Sequence, residues 1–214
     1  MRPNTLILLI FAILACTLAV LPVTGYSGDA VNWYTKGNAL TVSRNYTEAI
    51  AAFDKAISLE PAYVEALNGK ADALNRAQRY SDALLASDQV IALNPDYVKG
   101  WINRGYILYN LGRYDEEQKA YERAIQIDPN SAEAWFNKGY ALGGMGKWDE
   151  ALTAFDRVQV LDPAYPNLVA NQQIAQKSLA TSTPFYVKNA PIIGVIAIII
   201  IGAVIWVWAV RKKR

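Results

Sequence analysis

Apolar positions along this chain return to the same columns every 34 residues between residues 30 and 163. The last copy reads Trp135, Gly139, Leu142, Gly146, Trp148, Ala151, Phe155 and Pro163. The copy before it reads Trp101, Gly105, Leu108, Gly112, Tyr114, Tyr121 and Pro129, and the second copy Leu67, Ala71, Leu74, Tyr80, Ala83 and Pro95. The first reads Trp33, Gly37, Leu40, Tyr46, Ala49, Phe53, Ala56 and Pro61. A constant period with large and small apolar residues in fixed slots marks a repeat architecture. Within a copy, Trp135, Gly139 and Leu142 lie four and three apart, and Ala151, Phe155 and Val158 repeat that spacing, so each copy carries two amphipathic helices.

The pattern predicts helices over residues 30–43 and 47–59, 63–77 and 81–93, 97–111 and 114–127, and 131–145 and 148–161. Gly112 and Gly146 stand between the two helices of their copies, where a helix end favours a residue tolerant of positive φ. Gly37, Gly105 and Gly139 are expected to face Phe53, Tyr121 and Phe155, letting two backbones close around one ring. Each second helix should end before Pro61, Pro95, Pro129 or Pro163, because a residue that precedes proline is driven out of the helical region.

These columns resemble the tetratricopeptide repeat, whose 34-residue unit carries Trp, Gly, Tyr, Ala, Phe, Ala and Pro in this order. Four units match in phase, 30–63, 64–97, 98–131 and 132–165. Three kinds of departure stand out: Glu117 holds a slot that is usually alanine, Ser87 replaces the aromatic, and Val90 and Val158 replace the second alanine. The resemblance implies an all-α fold, a right-handed α-solenoid of four helix hairpins whose stacked units bury a continuous core and leave an inner groove. Such a stack needs a cap, and residues 166–180 supply a partly apolar helix with Leu168, Val169, Gln172, Ile174, Ala175 and Leu179 on it and Pro166 in its first turn. Residues 181–189 read as a linker.

The two ends change the picture. Apolar residues make up 53% of the 214, slightly above the ~45–50% of ordinary soluble chains, and the excess is terminal. Residues 1–25 read as a secretory signal peptide or an uncleaved N-terminal membrane anchor. Cys16, the single cysteine, lies inside that run. Residues 191–210 include nineteen without a charge, Ile192 to Val210, about 29 Å of helix against a ~30 Å bilayer core. They are expected to form a transmembrane helix, with the basic tail 211–214 on the cytoplasmic side. This predicts a single-pass protein of the cytoplasmic membrane, or a two-pass one if the leader stays, with the repeats extracytoplasmic.

Charge and chemistry then exclude more than they suggest. Residues 26–180 hold 15 basic and 19 acidic residues, a balance of −4 that argues against nucleic acid as a partner. The chain has no histidine, which removes the usual triads and zinc sites, and the acids Asp115, Glu116 and Glu117 gather in a first helical turn where the dipole favours them. No catalytic residue, cofactor, metal or small-molecule substrate is expected. Asn45, Tyr46 and Thr47 form a glycosylation sequon whose chance occurrence is the better reading.

In the family, the first helix of each repeat lines the concave face. Carried over, its slots hold Tyr34 and Asn38; Asn68, Asp72 and Asn75; Lys99, Ile102, Tyr106 and Tyr109; and Glu133, Phe136 and Tyr140. Amides suit the main chain of a peptide and rings its apolar side chains. The family's clamp for acidic chaperone tails is incomplete: Asn38 and Lys99 match it, but Tyr34, Gly69 and Asn103 occupy its other slots. A basic column at Lys36, Lys70, Arg104 and Lys138 is expected to mark a solvated edge. The resemblance thus implies a scaffold that binds peptide segments or protein partners; together with the topology expected from the two ends, this reads as a scaffold in envelope assembly on the outer face of the membrane, or alternatively a holdase for exported chains.

Overall fold

A computed structural model describes residues 26–182. Among these residues there are nine helices and no strand: α1 (Gly28–Val42), α2 (Tyr46–Leu59), α3 (Val64–Arg76), α4 (Tyr80–Leu93), α5 (Val98–Asn110), α6 (Tyr114–Ile127), α7 (Ala132–Gly144), α8 (Trp148–Leu161) and α9 (Leu168–Ser182). The expected helices are present, each helix boundary within two residues of its expected place. The leader, the apolar run 191–210 and the basic tail lie outside the described residues.

The described chain falls into two compact units that divide at Gly112. In the first, α1 packs on α2, α3 on α4, and the hairpins join through α2 with α3 and α4 with α5. Its core gathers Phe53, Tyr63, Leu74 and Ile107 with alanines of four helices. In the second unit α6 packs on α7, α7 on α8 and α8 on α9, and its core holds Leu142, Phe155, Val158, Leu168 and Ala175.

The placement in the cytoplasmic membrane, with the repeats outside it, is corrected here. No helix among the described residues is long and apolar enough to cross a membrane. They run 13 to 15 residues, at most about 23 Å of helix against ~30 Å of hydrocarbon.

Local chemistry accounts for where the helices stop. Glu60, Asn94, Asp128 and Asp162, each before a proline, have φ between −130° and −147° with ψ near 90°, extended as the proline ring requires. In the last three the side-chain oxygen then accepts from the backbone N–H two residues on, which closes an Asx turn. Between the helices of a hairpin, Gly112 and Gly146 have φ of +71° and +74°. Arg44 and Gln78 occupy the same slot at +63° without being glycine. The turn is imposed by hydrogen bonds that reach back five residues, Asn45 N to Leu40 O and Arg79 N to Leu74 O, matching Lys147 N to Leu142 O around Gly146.

The close approach expected around the rings is present in both units. A methyl group on Gly37 would lie 2.6 Å from Phe53, and one on Gly139 would lie 2.7 Å from Phe155. A methyl group on Gly69 of the next repeat would likewise lie 2.7 Å from the Phe53 ring. Where Ser87 replaces the ring, the small slot of the same hairpin holds Ala71 instead of glycine, and both are buried.

The cap differs from expectation in detail. Asn167 adopts φ +61°, so the helix starts at Leu168, after Pro166, and it continues through Thr181 and Ser182. Leu168 and Ala175 face the core, whereas Val169 and Ile174 are exposed. Among the described residues this helix packs mainly on α8 and only lightly on α7, which leaves Val169 and Ile174 in water.

Candidate functional site

The basic column proves to be one side of a ladder. Lys70 pairs with Asp54 at 2.7 Å, Arg104 with Asp88 at 3.1 Å and Lys138 with Glu122 at 3.1 Å, each cation sixteen residues after its acid. Gln172 continues the series on α9 with a hydrogen bond to Asp156. Lys36, in the first repeat, sits instead 4.7 Å from the centre of the Trp33 ring. These charges tie each second helix to the next first helix and are spent on packing.

In the first unit the candidate residues lie along α1, α3 and α5. Asn68 accepts two hydrogen bonds from the Asn103 amide, at its backbone oxygen (3.2 Å) and its side-chain oxygen (3.3 Å). Asn75 Oδ1 accepts from Asn110 Nδ2 at 2.9 Å. Asp72 is clasped by Arg76, whose Nε lies 2.8 and 3.0 Å from its two oxygens, and that bond raises the guanidinium pKa. The amides expected to meet a peptide therefore also tie α3 to α5, which fixes the face. Asn38 is partly exposed and Lys99 exposed. Tyr106 and Tyr109 expose 40% and 44% of their surface from α5. Ile102 is buried at 3% and contributes to the core of its unit, not to its surface.

Tyr34 is half-buried, its ring 5.2 Å from Tyr63 and 6.1 Å from Phe53. In the second unit Phe136 occupies the equivalent slot and repeats the arrangement, 4.8 Å from Tyr165 and 5.7 Å from Phe155. Tyr140 projects from α7 with 53% exposed, and Glu133 is exposed at the start of the same helix. Thus Phe136 and Tyr34 are largely packing residues, while Tyr106, Tyr109 and Tyr140 present ring surface.

Sequence reasoning missed the partners of Tyr34. Tyr63, Tyr97 and Tyr165 each follow a repeat proline by two residues, a column that could have been read. Tyr26, just before α1, stacks on Tyr63 with ring centres 3.7 Å apart, and its hydroxyl donates to Glu65 at 3.1 Å. Burial, then the Glu65 charge, raises the Tyr26 pKa; the same two causes push Tyr97 up to about 12. Among the described residues no group of three or more histidine, cysteine, aspartate or glutamate side chains could hold a metal ion.

Family models described as tetratricopeptide repeat match residues 34–95, 87–119 and 132–165, and one described as TPR repeat matches 105–146. No curated protein matches. Among solved structures, TTC0263, a thermophilic TPR protein of Thermus thermophilus, is 18% identical and aligns over 72% of this chain and 89% of its own, with a TM-score of 0.62. YrrB, a TPR protein with an unusual peptide-binding site, is 23% identical over 72% and 79% of the two chains, TM-score 0.55. The first TPR of Spaghetti (RPAP3), bound to the HSP90 peptide SRMEEVD, is 26% identical over 57% of this chain and 98% of its own, TM-score 0.52.

Proposed function

Because this chain is a tetratricopeptide repeat protein, we propose that it is a docking scaffold that takes a peptide segment of a partner protein on the faces of its first helices. The observation that carries this is the exposure of Tyr106, Tyr109 and Tyr140 on first helices, whereas the rings in the equivalent slots of Tyr34 and Phe136 pack against neighbouring rings. Tyrosine offers large contact area with little rotamer entropy to lose, and is enriched where binding energy concentrates. On α5 the two rings stand beside the amide-bonded row that joins Asn75 and Asn110, so apolar and main-chain recognition share one face.

The mode differs from the capture of an acidic tail by a lysine and arginine clamp. The neighbour bound to SRMEEVD is 26% identical, yet here Tyr34 fills one clamp slot and Gly69 another. Gly69 is held small because any larger residue would meet the Phe53 ring at 2.7 Å. An asparagine could not enter there without displacing a core ring.

A photoreactive phenylalanine analogue at Tyr106 or Tyr140, in the full chain, tests the reading. A recurrent adduct with one partner supports it. A smear of many unfolded chains would replace it with a holdase, and no adduct from either position would overturn it.

A further inference from the structure

One corner of the first unit combines rings with carboxylates that, among the described residues, no cation pairs with. Tyr26 stacks on Tyr63, Tyr34 tilts against the same ring, and Tyr97, at the N-cap of the next first helix, holds the same slot two residues after a repeat proline as Tyr63, its pKa raised by burial and then by the Glu65 charge. Glu65 accepts from the Tyr26 hydroxyl at 3.1 Å, and Glu60 accepts from the Ser27 backbone N–H at 3.2 Å. Both donors are neutral. Four other carboxylates of this unit are spent on ion pairs: Asp54 with Lys70, Asp72 with Arg76, Asp82 with Arg79 and Asp88 with Arg104. Among the described residues no ion pair joins Glu60 or Glu65 to a cation, and Lys99, across on α5, pairs with neither.

We propose that this corner, formed by Tyr26, Tyr34, Tyr63, Tyr97, Glu60 and Glu65, is a recognition subsite for a cationic side chain, the lysine or arginine of a docked peptide. The inference rests on the peptide-docking reading above and adds the chemistry of one position of the ligand. Tyr63, buried and stacked, only backs the site; the accessible phenol ring of Tyr26 attracts an ammonium or guanidinium group through its quadrupole, and the carboxylate beside it supplies charge-assisted hydrogen bonds. An acidic residue would be repelled by two glutamates. An aliphatic one would take the glutamates' charge out of water without a neutralising cation, so both are selected against. The corner is partly sheltered, Tyr26 at 37% and Tyr63 at 4% exposure, which strengthens the attraction relative to open water. The polarity is opposite to that of a clamp for acidic tails.

The test uses the full chain and a panel of fluorescein-labelled extended dodecapeptides, read by anisotropy. Panel members share a sequence and differ at one central residue: arginine, lysine, citrulline, norleucine or glutamate. Arginine and lysine members are expected to bind about tenfold tighter than citrulline and norleucine, with glutamate weakest. The gap should close in Glu65→Gln, a surface change that leaves helicity intact, and in the unmodified chain as salt rises from about 50 to about 500 mM. Tyr97→Phe, which keeps the ring, should preserve the gap, and Tyr97→Ala should narrow it. Peptides that bind equally whatever the central residue, or a preference indifferent to Glu65→Gln and to salt, would overturn the inference and leave the docking function standing. No binding by any panel member would overturn both.

Discussion

Glu117 stands in α6 where the repeat ordinarily has alanine, and it is buried at 2% exposure with Oε2 lacking any hydrogen-bond partner. Burial pushes its carboxyl from the usual 4.5 up to about 7. That interval is worth about 3 kcal/mol at ~1.36 kcal/mol per pH unit. The folded chain therefore holds a proton that the unfolded chain releases at lower pH. Between pH 4.5 and 7 the folded state binds more protons, so the stabilising share from protonation is complete below about 4.5, declines as pH rises through 7, and is absent above it. Replacing the residue removes this dependence. Glu117→Ala also discards one buried methylene, costing about 0.8 kcal/mol, so a net gain of about 2 kcal/mol is expected at pH 8 and a small loss at pH 4.5. Glu117→Gln keeps the volume and isolates the charge. The assay is urea unfolding of the three proteins at half-unit steps from pH 4.5 to 8, with the wild-type minus variant difference plotted against pH. A difference curve that stays flat across that range would refute the account, whatever the absolute stabilities.

Two further outcomes follow from the turns and the close contacts. Gln78 holds φ +63° in the slot that Gly112 and Gly146 fill elsewhere, so Gln78→Gly should stabilise the chain by about 1 kcal/mol in the same unfolding assay. Gly37→Ala should destabilise it by about 1–3 kcal/mol, since the new methyl would sit 2.6 Å from a fully buried Phe53 ring. Adding Phe53→Leu to Gly37→Ala should recover part of that loss, which a purely helix-propensity effect would not allow.

The hairpins were legible because their determinants are local and repeated. A proline at 61, 95, 129 and 163 forces the preceding residue out of the helix regardless of what packs around it. A glycine opposite a phenylalanine announces a contact that only those two sizes can make. Arg44 and Gln78 were not legible, since nothing in either side chain asks for a positive φ; the reach-back hydrogen bonds impose it. The site was legible only in part. Counting slots found the exposed Tyr106, Tyr109 and Tyr140, but it equally selected Ile102 and Phe136, because a slot number gives the direction of a side chain and not what the neighbouring helix puts in front of it. Phe136 meets Tyr165, and Tyr34 meets Tyr63.

The same distinction explains which charges are informative. Lys70, Arg104 and Lys138 recur at every period, and recurrence is what a contact between successive hairpins demands: each has its acid sixteen residues upstream. A residue serving a ligand has no such obligation, and it should break the period. Glu117 breaks a column of alanines, and the column of Glu65 is not held constant either, with Val31, Lys99 and Glu133 in the other repeats; the two acids behave in opposite senses. Glu117 is buried with an unmet oxygen, so it weakens the stack, whereas Glu65 stays at the surface among tyrosines with only a phenol as its donor. An unneutralised carboxylate that costs little in the free protein is available to a cation that arrives from outside. Stability should therefore respond to substitution of Glu117 and hardly at all to Glu65→Gln, while charge selectivity in binding should respond in the reverse order.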